Sequence, residues 1–182
     1  RHRAARMVPV HRPPSPHPHQ SSERGPGDAA KQRLLADPAH RQTYLDRFPH
    51  LCAAARDLQI DIITLSSGSR DPDDMWRWHL DNTTAQAWAD SRTTLQALAA
   101  LAEDYGLTLA VEPEHSNVVA TAEQAIMMLD QVASPALKIV YDAANLLDPD
   151  DYDPTIAADA ITRDIATLGA DARNQQRHVA DN

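Results

Sequence analysis

Glycine is scarce in this sequence, and its scarcity excludes a class of chemistry. Five glycines among 182 residues form neither a GxGxxG run nor a Walker pattern, so dinucleotide and nucleoside triphosphate loops are not expected. Cysteine is scarcer still. Cys52 stands alone, which rules out an internal disulfide, and its apolar helical setting reads as a small core residue. That usage fits a reducing, cytoplasmic compartment. Aromatic residues make up 4% of the chain, and no apolar run approaches the roughly 18 residues of a membrane span, so no membrane partner is expected. Positive charge is also short. A net charge of −9 weighs against nucleic acid as a partner, although charge speaks to association and not to fold.

What basic charge there is gathers at the start. Residues 1–33 hold seven Lys/Arg against two acids, with six of the thirteen prolines and four of the nine histidines. Pro13-Pro14-Ser15-Pro16-His17-Pro18-His19 cannot form a helix interior or a central strand. The segment reads as a disordered, partly polyproline-like arm, with the folded domain over 34–182.

Order is expected from Asp37-Pro38, an N-cap followed by proline at the first helical position. Tyr44, Leu45, Phe48, Leu51, Cys52, Ala55 and Leu58 then recur at helical spacing. Pro49 lies inside that pattern and predicts a kink or two short helices. Ile60 to Leu65 is β-rich and ends at Ser66-Ser67-Gly68-Ser69, a buried strand running into a tight loop. The following stretch, to Asn82, is long and dense in functional side chains. Thr83 or Thr84 caps a helix with Trp88, Leu95, Leu98, Ala102 and Tyr105 on its apolar stripe, stopped at Gly106. The strand Leu107 to Val111 leads to Glu112. Thr121-Ala-Glu-Gln124 has the capping-box pattern and opens a helix carrying Ile126, Met127, Leu129 and Val132, which Ser134-Pro135 breaks. The strand Leu137 to Tyr141 leads to Asp142, and a last helix is expected over 155–168.

Strand, helix, strand, helix, strand at these lengths implies parallel crossovers and an α/β fold. Every strand's carboxyl end then faces the same way, so Glu112 and Asp142 project into one pocket. Hard carboxylate oxygens joined by an imidazole suit Mn²⁺ or Mg²⁺, with Co²⁺ or Zn²⁺ also compatible. Such an ion polarises a carbonyl or hydroxyl oxygen, and a nearby carboxylate moves a proton between adjacent carbons. For one acid alone the bland alternative is that it caps a neighbouring helix or pairs with an arginine. His115 and His178 are both candidate third ligands. No serine or cysteine nucleophile has a supporting pattern.

Three runs carry a resemblance. Ile63-Thr-Leu-Ser-Ser-Gly-Ser-Arg70-Asp-Pro-Asp-Asp-Met-Trp76-Arg-Trp-His79-Leu-Asp-Asn82, Leu109-Ala-Val-Glu112-Pro-Glu-His-Ser-Asn117 and Lys138-Ile-Val-Tyr-Asp142-Ala-Ala-Asn145-Leu resemble, in this order, the sugar phosphate isomerase/epimerase family of xylose-isomerase-like TIM barrels. The resemblance implies a (β/α)8 barrel, incomplete here because such barrels need about 250 residues. It implies a metal-dependent isomerase or epimerase acting on a sugar or sugar phosphate, with proton transfer through an enediolate. Glu112 would be ligand and catalytic base, and Asp142 and His178 further ligands. Asn145, His79, Trp76 and Arg70 would touch the carbohydrate. The family's second glutamate would lie beyond Asn182. An open parallel sheet exposes its edges and apolar strand faces, which predicts poor solubility or pairing with another chain, as in a homo-oligomer. Two alternatives stand beside this reading. One is a non-catalytic remnant or binding module. The other is an endonuclease-IV-like phosphodiesterase, against which the acidic charge weighs.

Overall fold

The computed structural model describes residues 38–74, 76–147 and 153–170. The N-terminal arm, His178 and most of the acidic loop after Leu147 lie outside the described residues. The elements run α1 (Pro38–Asp57), β1 (Ile62–Ser66), α2 (Ala85–Asp104), β2 (Thr108–Glu112), α3 (Ala122–Val132), β3 (Leu137–Ile139), α4 (Ala143–Leu146) and α5 (Pro154–Gly169). The strands form one parallel sheet in the order β1-β2-β3.

The local chemistry explains the boundaries. Thr84 accepts the amide of Ala87 at 3.1 Å and starts α2. At its other end Gly106 takes φ +66, Leu107 N–H reaches Ala102 O at 2.9 Å and Gly106 N–H reaches Glu103 O at 2.9 Å. That is a Schellman stop, and glycine is the residue that enters its left-handed position without a Cβ penalty. The same motif closes α1, with Gln59 at φ 56 and Ile60 N–H bonded to Ala55 O at 2.8 Å. Ile60 is thereby committed to the helix end, which is why β1 begins two residues later than the β-rich run suggests. Pro49 does not divide α1, which runs unbroken through it. Phe48, Cys52 and Ala55 on either side of the proline are buried in the core and hold the helix there. Thr121 caps α3 by accepting from Gln124 N–H at 3.2 Å, while the Gln124 side chain reaches one residue further back than the usual box, to Ala120 N–H at 2.7 Å. The chain leaves α3 at Ala133, in the left-handed region at φ 55, before Ser134-Pro135 is reached. β3 is shorter than its apolar run, although Val140 N–H still bonds Val111 O at 2.9 Å.

Register places Ile63, Leu109 and Leu137 side by side, and all three are buried. They pack with Leu95, Leu98, Ala102, Met128, Leu129 and Phe48 into one apolar cluster beneath the helices. Truncating a fully buried leucine such as Leu109 would cost about 2–5 kcal/mol. Cys52 is fully buried in this cluster, and burial pushes its thiol up, consistent with a packing role. The alternate strand positions Thr64, Ala110 and Lys138 form a row on the opposite face. One step further along that face, Ser66 pairs with Glu112 at the strands' carboxyl ends.

Candidate functional site

The sheet ends in three loops, and hydrogen bonds stitch them together. Val119 N–H donates to Ser67 Oγ at 2.9 Å, and Val118 N–H to Gly68 O at 3.1 Å. The buried amide of Asn82 accepts from Arg70 N–H at 2.6 Å and donates to Ser116 O at 2.8 Å. These bonds fasten the loop after β1 to the loop after β2. His115 N–H donates to Asn145 O at 2.9 Å, fastening that second loop to α4, and the His115 ring nitrogen Nδ1 lies 3.3 Å from the same carbonyl.

Glu112, the last residue of β2, is half-buried. Its Oε1 accepts the side-chain amide of Asn145 at 2.7 Å. Asp142 follows β3 and caps α4, accepting from Ala144 N–H at 2.9 Å, and its side chain is exposed. The capping role that sequence reasoning held open for a lone strand-end acid is therefore present at Asp142. One oxygen of each acid is committed inside the protein in this way.

Glu114, the second carboxylate of the run after β2, has no role assigned by its sequence pattern, yet it belongs to the same cluster. It is 5% exposed. Its carboxylate accepts from Asn117 Nδ2 at 3.0 Å and its N–H donates to Val119 O at 3.1 Å. Burial and then the Glu112 charge push its carboxyl up to about 7; the Asn117 bond opposes them, and the Asp142 charge adds to the rise. Asn117 Oδ1 is buried with no hydrogen-bond partner. Asn82 and Ser67 were missed for a plain reason. Their importance lies in bonds to residues 34 and 52 positions away, which leave no local pattern.

The loop residues read as substrate contacts have local partners. Arg70 forms an ion pair with Asp90 on α2. His79 accepts Asp81 N–H on its ring at 3.2 Å and caps the short 3-10 helix Leu80–Thr83. Trp76 remains 40% exposed. Asp71 holds this loop in shape by accepting from the amides of Asp73 and Asp74 at 2.9 and 2.8 Å and pairing with Arg77 at 3.2 Å. Among the described residues no group of three or more His, Cys, Asp or Glu is placed to hold a metal ion. No helix among them is long and apolar enough to cross a membrane.

The family model for the xylose isomerase-like TIM barrel matches residues 26–181. The chain belongs to that family. The described strands and helices are thus part of a xylose isomerase-like barrel, and the cluster around Glu112 lies at the carboxyl ends of barrel strands. No curated protein matches the sequence. Among solved structures, the chain is similar to the D-psicose 3-epimerase of Clostridium cellulolyticum H10, crystallised with D-tagatose. That likeness has 19% identity and a TM-score of 0.52, over 77% of this chain and 47% of the other. It is also similar to a xylose isomerase-like TIM barrel protein from Mycobacterium smegmatis in complex with magnesium. There the identity is 14% and the TM-score 0.54, over 74% of this chain and 44% of the other. The chain spans less than half the length of either structure. At these identities the likeness is one of fold.

Proposed function

We propose that this chain carries the site of a metal-dependent isomerase or epimerase acting on a small carbohydrate. One observation carries the reading. Glu112 ends β2 and Asp142 follows the adjacent parallel β3 at the same end of the sheet, with the Asn145 amide holding the first. Barrels of this architecture put their chemistry at that end. Similarity to an epimerase crystallised with D-tagatose supports the substrate class, and similarity to a magnesium complex supports the ion.

The donor set fits a hard divalent cation. Glu112 and Asp142 offer carboxylate oxygens, and each keeps one oxygen outside the bonds to Asn145 and Ala144. These two residues would hold Mg²⁺ or Mn²⁺, with His178 as a third ligand. Such an ion, when bound, supplies polarisation of a substrate carbonyl or hydroxyl oxygen. Glu112 takes a proton from the carbon beside that carbonyl, and in an isomerisation returns it to the neighbouring carbon on the same face. An epimerisation needs a second acid on the opposite face, the place of the family's second glutamate. Asn145 fixes the carboxylate by holding Oε1, which leaves the other oxygen for the ion or the substrate. Trp76 offers an exposed face on which a sugar ring can pack, and Arg70 and His79 flank it in the same loop.

A non-catalytic sugar-binding module is the second reading, favoured by the lack of an assembled three-ligand group among the described residues. Incubation with ketohexoses in D₂O and Mn²⁺ separates the two. Deuterium entering carbon-bound positions, and lost in Glu112→Gln, supports the enzyme. Ketohexose binding without exchange supports the module.

A further inference from the structure

α4 is a single turn of four residues, Ala143–Leu146. A helix that short does not hold itself in water, because its first turn fixes several dihedral angles for one hydrogen bond. Its place is set from outside. Asp142 caps one end by accepting Ala144 N–H at 2.9 Å. At the other end lies the Asn145 carbonyl, one of those that a helix terminus leaves without an intrahelical donor. It accepts His115 N–H at 2.9 Å. The His115 ring comes to the same oxygen, with Nδ1 at 3.3 Å. A carbonyl oxygen only accepts, so this contact is a hydrogen bond only when Nδ1 carries the proton. The Asn145 side chain in turn donates to Glu112 Oε1 at 2.7 Å.

We propose that His115 is a positioning residue for Glu112. Its Nδ1–H tautomer holds the Asn145 carbonyl, and with it the side-chain amide that orients the carboxylate. The backbone N–H alone would let α4 pivot about one bond, and the ring adds a second direction to the same oxygen. Among the described residues His115 does not join Glu112 and Asp142 in a metal-holding group, so its contribution passes through Asn145. Outer partners of this kind orient the groups that meet an ion or a substrate. The task given to Glu112 rests on the proposed function, whereas the tautomer and the bonds do not.

The full chain in a chelating buffer tests the arrangement first. Ring ¹⁵N spectra are expected to show a proton on His115 Nδ1, and a bare Nδ1 overturns the proposal. Two substitutions then separate the donor from the bulk. His115→Asn sets a side-chain N–H where Nδ1 stood, while His115→Phe keeps a ring and loses the donor. Exchange of the Asn145 side-chain amide protons is expected to stay close to wild type in the first and to speed up in the second. Equal exchange in all three proteins, or the same change in both variants, overturns the proposal. Calorimetric titration with Mn²⁺ reads the consequence at Glu112. His115→Phe is expected to weaken binding by about tenfold or more, with His115→Asn close to wild type. Equal affinity in the two variants contradicts the link to Glu112. Absence of Mn²⁺ binding in the wild type overturns the proposed function instead, and the exchange comparison still decides the role of His115.

Discussion

Asn145 donates its side-chain amide to Glu112 Oε1 at 2.7 Å, across 33 residues of sequence. The bond joins the end of β2 to α4, the turn that follows β3. Replacing Asn145 with alanine removes one partly buried hydrogen bond, at a cost of about 1 kcal/mol. Asn145→Asp is expected to cost more near neutral pH, because it sets a second carboxylate against Glu112. Thermal unfolding of both variants in a chelating buffer checks the order.

Glu114 is buried beside two acids, and its carboxyl is pushed up to about 7. A carboxyl raised in the folded state favours folding below its unfolded value and loses that contribution as pH climbs through the folded one. Glu114→Gln is therefore expected to stabilise the chelated protein at pH 8, by on the order of 2–3 kcal/mol at most. The gain should shrink to below about 1 kcal/mol at pH 5 and vanish only below the unfolded value, near pH 4. Urea midpoints at the two pH values measure the difference.

Asn82 closes its own loop through Arg70 N–H and Ser69 Oγ and donates to Ser116 O in the loop after β2. Its loss leaves Arg70 N–H and Ser116 O without that partner in a buried setting. Asn82→Ala is expected to destabilise the fold by about 2–3 kcal/mol. Asn82→Asp keeps the acceptor for Arg70 and loses the donor to Ser116, so it should fall between. Hydrogen exchange at the Val118 and Val119 amides should speed up in the same order.

Asp71 works in the opposite pH direction from Glu114. Burial raises its carboxyl, but the amides of Asp73 and Asp74 and the Arg77 guanidinium outweigh burial and hold it below the usual range. A depressed carboxyl contributes stability above its unfolded value and loses it as pH falls through the folded one. Part of the acid destabilisation below about pH 4 should therefore belong to Asp71. Asp71→Asn should show a flatter fall in urea midpoint between pH 5 and 3.

The three strands, the order of elements and the two strand-end acids were legible because each leaves a local mark. The marks are a short apolar run, a capping residue, or a carboxylate where the run stops. The boundaries were not, because helix ends compete with strand starts for the same residues, as Ile60 shows in bonding back to Ala55. At Pro49 the division into two short helices does not occur, and packing of Phe48 and Cys52 keeps α1 whole through it. At the site, Glu112 and Asn145 could be named from their motifs, but the bond between them could not. Glu114 reads as an ordinary polar residue in sequence. Only the loop that turns it inward, against Asn117 and Val119, makes it part of the cluster.

The central claim is that Glu112 and Asp142 together hold a divalent ion at the strand ends. Titration of the purified chain with Mn²⁺ by calorimetry tests it most directly, run beside Glu112→Gln and Asp142→Asn. The expected result is saturable binding that either substitution weakens by about tenfold or more. Equal affinity in all three proteins would contradict the claim.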